Sequence, residues 1–263
     1  MRTRNAALVG ALCVGLSTAL TACGGKEDPD AGTNGVGRLR AAAIQDKARD
    51  AARGADAVHL SGSVVSQGRT YRIDVRLKKD GGTGRVTSDQ VSFELLRVGD
   101  DLFVKADAAF WSRGGAGGRP GGPNPVPAPA AGKKGKGDLA TAAQKLNGKY
   151  VKVPSGDPSY QQLRGFTDKN VLLDGLLGLH GTLIRGDHGT VGGTPSIRLN
   201  AGDEKGSGGT LDVSLMGTPY PLRVQRAGGA GQLDFAEWGK PFALRVPGKG
   251  QTLDYGKRIP AGG

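Results

Sequence analysis

The chain has 263 residues, 36 of them Lys or Arg against 24 Asp or Glu, for a formal net charge of +12. Glycine accounts for 47 residues, well above the usual ~7%, and aromatic residues for only 5%, a composition rich in turns and poor in large core side chains. There are two cysteines, one of them inside the expected leader described next, which excludes a disulfide framework and a cysteine-built metal site in the mature protein.

The chain opens with Arg2 and Arg4 in a short polar stretch, followed by the mainly apolar or small run 6–19, the pattern of a secretory signal. That run is short of the ~20 residues needed to cross a bilayer as a helix, so cleavage rather than a permanent span is expected. Leu20-Thr21-Ala22-Cys23-Gly24 then matches a bacterial lipobox, in which two small residues fit a narrow peptidase groove and the cysteine is diacylated, carrying palmitate or a similar chain. The expectation is a signal peptide over 1–22 and a lipid anchor on Cys23 at the extracytoplasmic face of the cell membrane. Removing Arg2 and Arg4 lowers the net charge from +12 to +10. Residues 23–37 have almost nothing apolar to bury and read as a flexible tether, with a reach of roughly 20 Å.

From Leu39 to Ala55, apolar residues recur every three or four positions, predicting an amphipathic helix with a thin, alanine-rich face. The period then changes to two. Tyr71-Arg72-Ile73-Asp74-Val75-Arg76-Leu77 alternates for seven positions, and shorter alternations predict strands at 58–65, 91–95, 102–104, 183–185, 197–199, 211–215, 220–224 and 233–235. Glycine-rich turns, such as Gly81-Gly82 and Gly99-Asp100-Asp101, separate them. Short strands joined by tight turns imply an antiparallel meander, since parallel strands need a helix between each pair. Residues 112–137, with Pro120, Pro123, Pro125, Pro127 and Pro129 and then Lys133-Lys134-Gly135-Lys136, predict a disordered loop. Helical spacing returns at 138–146 and 160–179, with Asp168 as an N-cap inside the second stretch and Gly175 and Gly178 weakening it. A mobile helix there would suit a flap over a cavity.

The order of these elements, together with four stretches, resembles the LppX/LprA/LprF/LprG lipoproteins of actinobacteria. The stretches are Val58-His59-Leu60-Ser61-Gly62; residues 96–107 ending at Phe110-Trp111; Lys149-Tyr150-Val151-Lys152-Val153-Pro154; and Pro219-Tyr220-Pro221-Leu222-Arg223 leading to residues 234–239. The resemblance implies an α+β fold of the LolA/LolB/LppX kind: a large curved antiparallel sheet forming an unclosed half-barrel wrapped around helices. It would be one domain over 38–258 with a tail at 259–263. It further implies an apolar cavity that accepts acyl chains of lipid or lipoglycan. The chain departs from that pattern in the loop after Trp111.

On such a sheet the inward face would carry Tyr71, Ile73, Val75, Leu77, Phe93, Leu95, Val104, Leu183, Leu211, Val213, Leu215, Leu222 and Val224. These are mostly aliphatic and suit a chain of methylenes, each contributing about 0.8 kcal/mol when buried. The competing reading is that the helices fill this space.

His59, His180 and His188 lie in separate segments without ligand spacing, and no nucleophile elbow, zinc-protease or phosphate-loop motif occurs. No enzyme activity, metal or cofactor is expected. The carboxylate pairs Asp100-Asp101 and Asp203-Glu204 fit turn chemistry. Arg72, Arg76, Arg97, Arg185, Arg198, Arg223 and Arg226 are spread along strands without interleaved aromatics, which argues against nucleic acid. Anionic headgroups or acidic envelope polymers are the expected counter-charges, at about 1 kcal/mol per basic residue near a membrane surface. Two functions follow: a monomeric lipid-binding or lipid-carrying lipoprotein, or a non-enzymatic envelope interaction or sensory module with a closed core.

Overall fold

The computed structural model describes residues 28–66, 68–112, 141, 143–203 and 208–254. The expected signal at 1–22, Cys23, nearly all of the 112–137 loop and the tail at 259–263 lie outside them.

Alternation along the chain produces two meanders. The first comprises β1 (Ala57–Ser66), β2 (Arg69–Lys78), β3 (Gly81–Thr87), β4 (Ser92–Val98), β5 (Asp101–Ala106) and β6 (Tyr150–Val153). The second comprises β7 (Leu183–Val191), β8 (Thr194–Ala201), β9 (Gly209–Ser214), β10 (Pro221–Arg226) and β11 (Gly231–Ala236), and β12 (Thr252–Leu253) follows near the end. The strands form one sheet in the order β12-β6-β5-β4-β3-β2-β1-β11-β10-β9-β8-β7. With β12 and β7 at its two edges, the sheet is large and unclosed, as expected. It is mixed rather than wholly antiparallel, because β12 returns alongside β6 in the parallel sense.

The alternation rule misses β3, β6 and β12, and β3 shows why. Gly81 and Gly82, read as a turn, open the strand, and the turn is Lys79-Asp80 instead. The reason is steric: a Cβ on Gly82 would lie 2.6 Å from Leu77 Cδ2, and one on Gly84 2.3 Å from Val75 Cγ1, so β3 approaches β2 closely only through glycine.

Helices with described bounds are α1 (Ala41–Gly54), α2 (Ala108–Ser112), α3 (Pro158–Thr167) and α4 (Lys169–Leu177), and the described residues 141 and 143–146, within the predicted 138–146 stretch, are also helical. The α3–α4 pair sits in the sequence between the two meanders. Asp157 caps α3, accepting from Ser159 N at 2.8 Å, with Pro158 in the first turn where its missing N–H costs nothing. Asp168 caps α4 as predicted, accepting from Asn170 N and Val171 N at 3.1 Å each. No helix of the described residues is long and apolar enough to cross a membrane.

The expected tether at 23–37 is docked from residue 28 onward. Asn34 Nδ2 donates to Ser214 O and Gly217 O at 3.0 and 3.1 Å, and Arg185 Nη1 donates to Gly37 O at 2.8 Å. Val36 joins the core at 4% exposure. The hydrophobicity count missed this because most of the attachment is polar.

Candidate functional site

Strand register fixes which side chains share a face. On the inward face one row runs Leu233, Gly62, Ile73, Val86, Phe93 and Ala106 across β11, β1, β2, β3, β4 and β5. The next runs Phe235, Leu60, Val75, Gly84, Leu95 and Val104. The predicted inward residues of the first meander, Tyr71, Ile73, Val75, Leu77, Phe93, Leu95 and Val104, therefore do lie on one face.

They divide between two apolar cores. The first gathers Ile44, Ala48 and Ala52 of α1 and Leu173 and Leu177 of α4 with Val75, Leu77, Leu211, Val213, Leu215 and Val224 of the candidate set. The second gathers Tyr71, Phe93, Leu95 and Val104 with Phe110, Trp111 and Leu163. Ile73 and Leu183 are half-buried against the first core. Leu222 is half-buried and belongs to neither; the irregularity in pairing between Pro221 and Arg223 falls on it.

Burial separates packing residues from residues a ligand can reach. Leu77, Leu211 and Val213 have 0% exposure, so they line no void wide enough for water. Phe93, Leu95, Val104, Leu215 and Val224 are 2–3% exposed and are likewise packed. Between the cores lies a seam of partly buried residues. Val64, half-buried, packs against both. Beside it on the inward face stand Ile73, half-buried, and Gly62, exposed and without a side chain to cover the row. Gly62 is obligatory there: at φ 147°, a Cβ would come within 2.2 Å of Gln232 O. Val64 and Gly62 were absent from the sequence candidates, although both are in phase with Val58 and Leu60 along β1.

Two buried cations pin the helices to this face. Lys169, 3% exposed, donates from Nζ to Ala52 O and Arg53 O at 3.0 and 2.9 Å, satisfying carbonyls at the end of α1. Burial pushes its amine below the ordinary lysine value, opposed by Asp56, Asp168 and Asp174. Arg97, 4% exposed, holds the end of α3 through Thr167.

The opposite face is polar. One registered row reads Arg198, Asp212, Arg223, Asp234, Ser61, Asp74, Arg85, Glu94 and Lys105 from β8 to β5. Arg198 pairs with Asp212, Arg223 with Asp234, and Arg85 and Lys105 with Glu94. Hydrogen bonds from Arg198 to Asp212 and from Arg223 to Asp234 raise the two guanidinium values further. Arg76 pairs with Glu237 at 3.1 Å. Of the strand arginines noted in the sequence, Arg76, Arg198 and Arg223 are thus held in structural pairs, while Arg72 and Arg226 are exposed.

Of the histidines, His59 lies 2.9 Å from Asp74 and His188 3.0 Å from Asp30, while His180 is exposed. No cluster of three potential metal ligands occurs among the described residues.

No family model matches the chain, and no curated protein matches it in sequence. Among solved structures it is similar to the Mycobacterium tuberculosis lipoprotein LppX, at 14% identity and a TM-score of 0.42, over 77% of this chain and 97% of that one. LppX is one of the lipoproteins that the sequence resembles. It is also similar to an uncharacterised conserved protein of Thermus thermophilus, at 10% identity and a TM-score of 0.35, over 80% of this chain and 96% of that one. A third likeness is to MucB of Pseudomonas aeruginosa, at 16% identity and a TM-score of 0.32, over 80% of this chain and 61% of MucB. At 0.42 or lower, none of these scores decides a function.

Proposed function

We propose that this chain is an extracytoplasmic lipoprotein, anchored to the cell membrane through acyl groups on Cys23, whose half-barrel takes up an acyl chain of a lipid or lipoglycan at the seam between its two cores. The observation that carries the reading is the position of Ile73: an aliphatic side chain on the inward face, half-buried, beside the Val64 that both cores share. A methylene chain laid there would extend the apolar contact that Val64 makes with both cores, at about 0.8 kcal/mol per buried methylene. The anchor is supported by the Leu20-Thr21-Ala22-Cys23 motif after the apolar run. Anchoring keeps the domain at the surface from which such a lipid comes.

Native mass spectrometry of the full chain extracted from its host membranes tests the reading. A non-covalent lipid adduct is expected, and Ile73→Trp, which fills the seam, should remove it without altering the circular dichroism. Bare polypeptide in both samples contradicts the proposal.

A second reading has its own observation. Because Leu77, Leu211 and Val213 are wholly enclosed, the first core is complete without a ligand, as in an interaction or sensory module. An adduct-free wild type would favour it.

A further inference from the structure

The acyl-chain reading leaves unused a groove of about 350 Å³ across β7, β8, β9 and β10. Its floor is polar where ligand pockets are mostly apolar. Ser196 at 1% exposure and Asp212 at 2% lie beneath it, Asn200 and Thr210 at 7% each border it, and the exposed Asp187, Gly189, Thr190 and Arg198 are the groups a ligand reaches. Several of these groups are fixed by one another. Arg198 Nε and Nη2 donate to the two Asp212 carboxylate oxygens at 2.8 and 3.1 Å. Thr210 Oγ1 donates to Gln225 Oε1 at 3.2 Å, and Gln225 Nε2 donates onward to Gln232 Oε1 at 3.1 Å. The buried Ser196 hydroxyl has no hydrogen-bond partner. A floor of fixed donors and acceptors with one hydroxyl unsatisfied is more than a sheet needs merely to face water.

We propose that this groove binds a neutral saccharide unit. The charge balance selects the class. Arg198 is engaged by Asp212 and His188 faces Asp30 at 3.0 Å, so the lining's cationic groups are committed within the protein, which disfavours a phosphoryl or carboxylate ligand. With Asp212 engaged, Asp187 is a lone carboxylate where a cation takes several oxygen ligands. What the lining offers is amide, hydroxyl and guanidinium groups close together, a match for a ring that carries both donors and acceptors and no net charge. The volume lies near the lower end of small-molecule pockets, about 300 Å³, and so suits one or two rings of a longer glycan rather than an enclosed chain. The site lies on the face opposite the seam, and neither assignment depends on the other.

The test is titration of the isotope-labelled full chain, in micelles of a detergent that contains no sugar, with chitotriose, mannotriose and cellotriose, each to about 10 mM, a range that captures millimolar affinity. At least one should give saturable amide shifts at Gly189, Ser196, Thr210 and Gln225. Gly189→Trp, at an exposed lining position where a Cβ makes only an ordinary 3.7 Å contact with Ser196 Oγ, should abolish them. Gln225→Ala should weaken binding about tenfold, equivalent to 1.4 kcal/mol. No saturable shift with any of the three sugars, an undiminished response in Gly189→Trp, or an equal response to inorganic phosphate overturns the proposal.

Discussion

Arg97 donates from Nε to the Thr167 hydroxyl at 3.1 Å and from Nη2 to the Thr167 carbonyl at 2.9 Å, so a guanidinium on the sheet closes the last turn of α3. Its Nη1 donates to Gly99 O at 2.8 Å, and these partners are all neutral. A buried cation is tolerated here because helix-end carbonyls supply partial negative charge. Arg97→Met should cost about 1–3 kcal/mol through the carbonyls it leaves unsatisfied, and Arg97→Lys should fall in between because an ammonium cannot span the same fork. Urea denaturation measures this; equal midpoints for wild type and Arg97→Met would show that the latch contributes nothing.

Lys169 makes a pH prediction. Its folded value is lowered by burial while its unfolded value is the ordinary 10.5, so between the two the unfolded chain binds more protons. Stability should therefore rise with pH across that window, and the penalty for burying the charge should be complete below the folded value. Lys169→Met should remove this slope while losing the bonds to Ala52 O and Arg53 O. Denaturation at stepped alkaline pH checks it: identical slopes in both proteins would mean that the buried amine is not the titrating group.

Two glycine substitutions should move stability in opposite directions. Gly84→Ala drives a Cβ to 2.3 Å from Val75 Cγ1 and 2.5 Å from Asp74 O, so β2 and β3 must separate at a cost of about 1–3 kcal/mol. Gly175→Ala meets nothing within 4 Å on the exposed side of α4 and should stabilise by about 0.5–1 kcal/mol. Thermal midpoints of the two variants check both signs.

Replacing Cys23 by serine should shift the protein from the membrane pellet to the supernatant. Two acyl groups are proposed on Cys23 because a single chain gives only marginal binding, on the order of 10⁴ M⁻¹. Unchanged sedimentation would contradict the proposed anchor on Cys23.

The fold was legible wherever one face is wet and the other dry. The seven-residue alternation of β2 predicts its strand and its inward residues, and Asp168 marks the start of α4. Glycine defeated the same rule in β3, where Gly81, Gly82 and Gly84 pattern as a turn yet serve as room for Leu77 and Val75. The two-residue β12 has no period to read, since its place beside β6 is set by the path of residues 237–251. Period alone identifies inward residues but cannot tell enclosed ones, such as Leu77, from reachable ones, such as Ile73. That distinction depends on how close α1 and α4 come to the sheet, which is a sum of long-range contacts. The polar groove was invisible for a related reason: Ser196, Arg198, Asp212 and Gln225 look like ordinary outward residues until register brings them together.

The most direct measurement of the central claim is photo-crosslinking of the full chain with a diazirine-bearing fatty acid, followed by peptide mapping. Adducts should concentrate on β1 and β2 around Val64 and Ile73 and should vanish in Ile73→Trp. Adducts scattered over the surface, or unaffected by filling the seam, would contradict it.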